Sequence, residues 1–414
     1  MSDRMKTGRA ILFLNLAMLL SCSSPTPPKS ADEESQWPAF ETSLISNQAA
    51  LWWARSLADV DADGILDIVL QNDNGYGGWL GYLKGNATGE IWQAVIVAEQ
   101  TPSGNKFAAG DLEAADLDRD GDVDLIAVEH PGEWSQSGAP SNLYWYEQSD
   151  EQWIPHNIGS IPSFLKDMSL VDLDNDGTLE VITLTYDAQA LTIFGMKESG
   201  YQKLWELLID NLHEGMDVGD LNGDGQVDIA GNGYWLQNPG HLDSPWNYQS
   251  IDQIWHNQED NHWARNATKV ACADIDGDNR AEVFVCHSEK ADYPLVRYDF
   301  ENGKWEKEQL IDSLPAAHSL VVADIDLDGQ EEVLTGVNRH RARDIFQERG
   351  IDPPREYPLY ILKQTASGWI KKSIDNNGVY NLLAGDLEGD GDIDLIRWTS
   401  HDMKDMWLMK NLSK

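Results

Sequence analysis

Asp116 to Asp124 reads DLDRDGDVD, five carboxylates in nine residues. Like charges at that density repel one another, so a chain keeps them together only where a cation is part of the local structure. The same pattern occurs seven times. The copies start at Asp59, Asp116, Asp172, Asp220, Asp274, Asp324 and Asp386, separated by 57, 56, 48, 54, 50 and 62 residues. Self-similarity at a period of about 50 residues signals stacked or radially arranged units.

The acids stand at the first, third, fifth and ninth positions of each copy. In order they are Asp59, Asp61, Asp63 and Asp67; Asp116, Asp118, Asp120 and Asp124; Asp172, Asp174, Asp176 and Glu180; Asp220, Asn222, Asp224 and Asp228. The last three copies supply Asp274, Asp276, Asp278 and Glu282; Asp324, Asp326, Asp328 and Glu332; and Asp386, Glu388, Asp390 and Asp394. Of these 28 positions 27 are Asp or Glu, the exception being Asn222. This is the pattern of a Ca²⁺ loop: a hard cation takes six to eight oxygens, and a sixth-position Gly adopts the backbone conformation a side chain resists. Asn279 stands in for that Gly in the fifth copy, which the left-handed tolerance of Asn permits. The ninth-position acid closes the cage. Up to seven structural calcium ions are therefore expected, offsetting about a third of the formal net charge of −40. On charge count the Asp220 and Asp274 copies are expected to be the weakest.

Short apolar, β-branched runs flank the loops, such as SLVVA before Asp324 and DLIAV from Asp124, so each loop joins two strands. Beyond it comes an aromatic strand, a turn and a strand with Trp near its start, as in LYWYEQSDEQWIPHNI, LVRYDFENGKWEKEQLI and LYILKQTASGWIKKSI. Four strands per period, seven times, predict an all-β, seven-bladed β-propeller. The last period lacks its Trp-led outer strand, and WPAFETSLI, Trp37 to Ile45, supplies one at the other end of the chain. That segment is expected to complete the seventh blade and close the ring.

Residues 1–21 read as an export signal, with Arg4, Lys6 and Arg9 preceding the apolar run AILFLNLAMLL. Leu19-Leu20-Ser21-Cys22 resembles the lipobox of bacterial lipoproteins, which implies acylation of Cys22 and a lipid anchor in the cell envelope. Residues 22–36, rich in Ser, Pro and acids, form a tether, and the propeller spans 37–414. The acidic balance excludes nucleic acid as a partner and leaves the membrane to the anchor alone. A monomer is expected. Cys272 and Cys286 do not fall opposite each other in the expected hairpin, so their bonding is left open.

The repeats resemble the FG-GAP or VCBS type, whose family architecture is a β-propeller with the calcium loops on one face. The opposite face then carries the residues that precede each first strand, including Trp52, Trp53, Arg55, Asp111, Lys166, Asp167, His213, Glu214, Lys269, His318, Tyr380 and Asn381. It also carries those that follow each second strand, including His130, Tyr186, Tyr234, His287, Asn338, Arg339, His340, Arg341 and His401. Six of the ten His fall there. Trp52 or Trp53 suits stacking on a sugar, and Arg suits a carboxylate. Ligand binding is assigned to Trp52, Trp53, Arg55, His130, His287, Asn338, Arg341 and His401.

Two functions are consistent with this face. The first is binding of a carbohydrate, uronic-acid-containing ones included, or of a protein ligand. The second comes from the stretches HEGMDVGDLNGDGQVDIAGNGYWLQNPG and AAHSLVVADIDLDGQEEVLTGVNRH, which look like secreted bacterial FG-GAP proteins related in architecture to aldos-2-ulose dehydratase and propeller polysaccharide lyases. That resemblance implies β-elimination, with His213, His318 or His340 as base, Tyr234 or Tyr380 as acid and Arg339 with Arg55 for the substrate carboxylate. Whether the protein is an enzyme stays open at this level. A glycoside hydrolase, a phosphate-binding loop, a zinc helix and a serine nucleophile find no support in the spacing.

Overall fold

The computed structural model describes residues 37–47, 53–71, 78–86, 91–132, 138–149, 152–186, 188, 190–209, 214–260, 262–399 and 404–413. They form seven antiparallel sheets of four strands each. In the first blade the strands run Arg55–Ala58, Asp67–Gln71, Leu80–Lys84 and Gln93–Ala98. The next five blades repeat this order. The inner strands lie side by side around one axis, and that of the seventh blade, Asn381–Gly385, packs against Arg55–Ala58. The molecule is a closed seven-bladed β-propeller.

The seventh blade takes its outer strand from the other end of the chain: Phe40–Ser46 pairs with Met406–Asn411, Phe40 opposite Asn411 and Leu44 opposite Trp407. Ile45, fully buried, carries this closure into the first blade, where it packs with Ile68, Leu70 and Trp92. Its carbonyl accepts the Trp92 N–H at 2.8 Å.

Why the second strands read as unbroken apolar runs is now plain. Asp67–Gln71, Asp124–Glu129, Glu180–Thr185 and Glu332–Val337 are buried along their whole length, because each lies between neighbouring blades. Outer strands such as Lys304–Leu314 mostly face solvent. The outer-hairpin aromatics bridge blades: Trp145 meets Tyr201 at 6.2 Å, Trp205 meets Trp246 at 5.9 Å, and Trp235 meets Trp305 at 5.5 Å between ring centres. Asn302 and Gly303 both have positive φ, 51° and 79°, as the two-residue turn between Glu301 and Lys304 requires.

One element departs from the repeat. Between the second and third strands of the sixth blade the chain forms an α-helix, Arg339–Glu348, capped by Asn338, whose side chain accepts the N–H groups of His340 and Arg341. Cys272 pairs across the hairpin with Val283 and Cys286 with Lys269, so the two thiols are not bonded. Burial pushes the Cys286 thiol up to about 12.

Candidate functional site

At one end of the axis lie the acidic loops, each joining the inner strand of a blade to its second strand. The first-position Asp folds the turn by accepting backbone N–H groups: Asp59 takes those of Asp63 and Gly64 at 3.0 and 2.9 Å, and Asp172 takes that of Gly177 at 2.7 Å. Sixth residues are left-handed throughout, from Asn279 at 69° to Gly121 at 102°. Fourth residues share that conformation, including Ala62, Arg119, Asn175 and Leu327, a requirement the spacing of acids does not reveal.

The ninth-position acid is buried in every copy. One of its oxygens accepts the second-position N–H, as from Leu117 to Asp124 at 3.0 Å, Leu173 to Glu180 at 2.9 Å and Ile325 to Glu332 at 2.8 Å. In the Asp copies the other oxygen reaches the third strand, as from Gln148 N–H to Asp124 at 2.9 Å and from Asn238 N–H to Asp228 at 2.7 Å. Burial pushes Asp124 up to about 6 and Asp228 up to about 7. One ligand oxygen each from Asp116, Asp118 and Asp124 come within 4.8 Å of one another, as do those of Asp172, Asp174 and Glu180. Asp116 Oδ1 is buried there without a hydrogen-bond donor, a penalty that a cation among these oxygens relieves. In chemistry and convergence these donors fit Ca²⁺.

At the other end the inner strands begin, and their first residues surround a pocket of about 360 Å³. All seven blades contribute. Trp53 and Arg55 come from the first, Asp111 from the second, Lys166, Asp167 and Tyr186 from the third, and Glu214 from the fourth; Lys269 and Glu289 come from the fifth, His318 from the sixth, and Tyr380 and Asn381 from the seventh. Trp263 covers one side.

Charges in the pocket are paired. Lys166 Nζ lies 2.6 Å from Glu214 and faces the rings of Trp53 and Tyr186 at 6.0 and 5.5 Å. Burial alone would lower this ammonium, but Glu214 overrides burial and holds it above its ordinary range. Ser288 Oγ donates to the other Glu214 oxygen at 2.7 Å. His318 Nδ1 donates to the Tyr380 carbonyl at 2.8 Å, which directs Nε2 at Glu289 Oε1, 3.1 Å away. Its ring packs on that of Tyr380 at 4.3 Å. Glu214, Glu289 and His318 each bring a donor atom within 4.8 Å of the others, with the Lys166 ammonium already beside Glu214.

Below the mouth, acids line the axis. Burial, with Asp167 nearby, pushes Asp111 up to about 7, while burial, with Asp111 nearby, pushes Glu113 up to about 8. Burial lowers Arg55 to about 10. Because folding raises Asp111 from its ordinary 3.8, its favourable protonated form contributes below about pH 4, and that contribution is lost as pH rises through about 7. Asp111→Asn keeps the acceptor for Met168 N–H, now 3.0 Å from Oδ2. It is expected to stabilise the protein by about 1–2 kcal/mol above pH 7 and to have little effect below about pH 4, as read from urea unfolding at both pH values.

The residues expected on this face divide into two groups. Trp53, Arg55, His318 and Tyr380 line the pocket, with the projected Asp111, Lys166, Asp167, Glu214, Lys269, Tyr186 and Asn381. Trp52, His213 and His401 lie outside the described residues, as do Cys22 and the export signal. The others lie elsewhere. Tyr234 is fully buried in its blade, stacked on Tyr248 at 5.4 Å, so it cannot serve as the acid. His130 is buried against Ser141 Oγ at 2.9 Å and Phe164, and His287 packs on Tyr293 at 4.4 Å. The Arg339–Glu348 helix takes His340 to Asp344, 3.2 Å away, and Arg339 over Tyr357, so neither serves as base or carboxylate clamp in the pocket; Asn338 is spent on the cap. Arg341 instead backs the pocket wall: its Nε donates to the Glu289 carbonyl at 3.0 Å. Glu289 and Trp263 lie outside the sequence expectations: Glu289 stands two residues past the end of the second strand Glu282–His287, and Trp263 sits in the long segment between Asn247–Ser250 and Thr268–Ala273.

Residues 59–127 and 116–183 each match the FG-GAP-like repeat family. No curated protein sequence matches significantly. Among solved structures, the chain resembles BBS1N from its complex with ARL6DN, soaked with mercury, with a TM-score of 0.52 at 11% identity over 91% of this chain and 98% of that one. The same complex soaked with lead gives 0.50 at 12% identity, over 90% and 97%. The exotype rhamnogalacturonan lyase YesX is similar at a TM-score of 0.45 and 14% identity, covering 90% of this chain and 72% of that one. At these identities the likeness is one of fold. The protein is a seven-bladed β-propeller with a polar pocket at one axial mouth. More particularly, its residues 59–183 match FG-GAP-like repeats, and the acidic loops lie at the opposite end of the axis.

Proposed function

We propose that this is an exported, lipid-anchored, calcium-binding β-propeller that binds a saccharide in its axial pocket. The observation that carries the reading is the composition of that pocket: Trp53, Tyr186 and Tyr380 offer flat apolar surfaces, while Arg55, Lys166, Lys269, Asp111 and Glu214 offer charged donors and acceptors, all from rigid strand ends. Sugars are recognised by that combination, ring faces on aromatics and hydroxyls on charged groups. Its volume of about 360 Å³ is near the lower end for small-molecule sites and suits one or two sugar residues better than a protein epitope. Among saccharides a uronic acid is a candidate because three cationic side chains, Arg55, Lys166 and Lys269, stand in the lining to meet its carboxylate, with the four acids Asp111, Asp167, Glu214 and Glu289 beside them for hydroxyls. Calcium holds the far end: the acidic loops bind Ca²⁺ through their carboxylates, supplying no chemistry to the pocket.

A second reading, β-elimination, draws on one feature. The Tyr380 carbonyl holds His318 Nδ1–H, so Nε2 is the nitrogen turned toward the pocket and shares a proton with Glu289; to act as base beside a uronate carboxyl, Nε2 must first give that proton up to Glu289 and turn its lone pair to the substrate. Calorimetric titration of the calcium-loaded mature chain with neutral and uronic-acid oligosaccharides, each then assayed for an absorbing unsaturated product, separates the two. Binding without product supports the binder; product formation lost in His318→Ala supports the eliminase; no heat with any saccharide overturns both.

A further inference from the structure

The seven acidic loops are not equivalent. In four blades a basic side chain from the third strand lies on the third-position acid of the blade's own loop. Lys84 contacts Asp61 and comes within 2.9 Å of Asp63. Lys410 contacts Glu388, with Asp390 at 3.7 Å. Arg297 contacts Glu282 and lies 2.8 Å from Asp276. Lys363 contacts Asp326, with Glu332 at 3.3 Å and Asp328 at 3.4 Å.

Three of the four bases share one placement, while Arg297, opposite Phe284, reaches the loop from two residues before the equivalent Asp299. Lys84, Lys363 and Lys410 each stand one residue beyond the cross-strand pairs Ile68–Leu83, Val333–Leu362 and Leu395–Met409, beside the ninth-position acid. In the second, third and fourth blades the corresponding residues are Glu147, Gly195 and Gln237, beyond the pairs Leu125–Tyr146, Val181–Phe194 and Ile229–Leu236. None of these is a base.

Exposure separates the four bases. The Lys84 and Lys410 side chains are 42% and 36% exposed and can swing into water when a stronger cation arrives. Those of Lys363 and Arg297 are 8% and 10% exposed; leaving the loop would strand a buried charge at Lys363, while Arg297 is held in place from the other side as well, by Asp299 and Glu308 at 3.6 Å. Calcium needs those same oxygens, and two cations cannot share them at such short range.

Resting on the calcium reading above, we infer that the loops beginning at Asp274 and Asp324 do not bind calcium: Arg297 and Lys363 are tethered cations that take its place. This leaves five loops open to the ion. It also reorders the ranking by charge count, since the Asp220 loop, weakened by Asn222, stays open while the Asp324 loop, with all four acids, is closed.

The test is the number of calcium ions retained by the purified full chain, from elemental analysis after dialysis against micromolar free calcium and from calorimetric titration with calcium. Three to five ions are expected, the lower number if Lys84 and Lys410 hold their places. Lys363→Met is expected to add one ion and to make the thermal midpoint more sensitive to chelation. Gln237→Lys, at a half-buried position that ends the third strand of its blade, is expected to remove one, with the unfolding midpoint in chelator checking that the variant is folded. Six or seven ions in the wild type would overturn the inference while leaving the calcium reading intact, as would unchanged stoichiometry in both variants. No bound calcium at all would overturn the inference together with the reading it rests on.

Discussion

Deleting the chain through Ser46 is expected to abolish cooperative unfolding of the propeller and to promote aggregation. The strand Phe40–Ser46 is the fourth strand of the last blade, so its loss exposes the unpaired edge of Met406–Asn411 and reopens a ring whose closure removes such edges. It also removes Ile45 from its place with Ile68, Leu70 and Trp92, across the seam between the last and first blades. A milder version isolates the packing part: Ile45→Ala, at a position with no exposure, should cost about 2–5 kcal/mol. Urea unfolding followed by tryptophan fluorescence, with sedimentation to detect aggregate, reads both. A deletion variant that unfolds in a single transition at the wild-type midpoint would show that the closure is dispensable.

The second large effect belongs to the acidic loops. Asp124 has no exposure and accepts two backbone N–H groups, from Leu117 at 3.0 Å and Gln148 at 2.9 Å, tying the loop to the third strand. Asp124→Ala leaves both donors buried without a partner, at about 1–3 kcal/mol each, so the loss should be about 2–6 kcal/mol even with chelator present. With calcium the difference from wild type should widen, because an ion is lost as well. Asp122, two residues earlier and exposed, is the control, and Asp122→Ala should stay within about 0.5 kcal/mol of wild type. Equal stability of the two variants in chelator would mean that the ninth-position acid has no structural role.

What could be read from the chain follows the repeat. Wherever the period holds, both ends of each inner strand are placed by counting from the acidic loop, and the count alone puts Trp53, Arg55, Lys166, His318 and Tyr380 on one face. Tyr234 and His287 failed for a different reason. His287 ends the second strand Glu282–His287 and Tyr234 opens the third strand Tyr234–Gln237; there position along the strand says nothing about which side of the sheet a side chain takes, and a shift of one residue sends it into the core. Asn338 through Arg341 leave the expected face because Asn338 caps a helix there, for which the repeat offers no precedent. The tethered bases were legible in principle. Lys84, Lys363 and Lys410 stand beside the ninth-position acid in the cross-strand register, but a count of acids alone passes over them.

The measurement closest to the central claim is a calorimetric titration of the calcium-loaded protein with uronic-acid oligosaccharide, run side by side on the wild type and Trp53→Ala. Trp53 lines the pocket without belonging to any acidic loop, and loss of a stacking ring should weaken binding by about tenfold or more with calcium stoichiometry unchanged. Binding of one saccharide per chain that falls in this way is the predicted result. Equal affinity in the two proteins would place the ligand elsewhere and contradict the assignment of the axial mouth as the binding site.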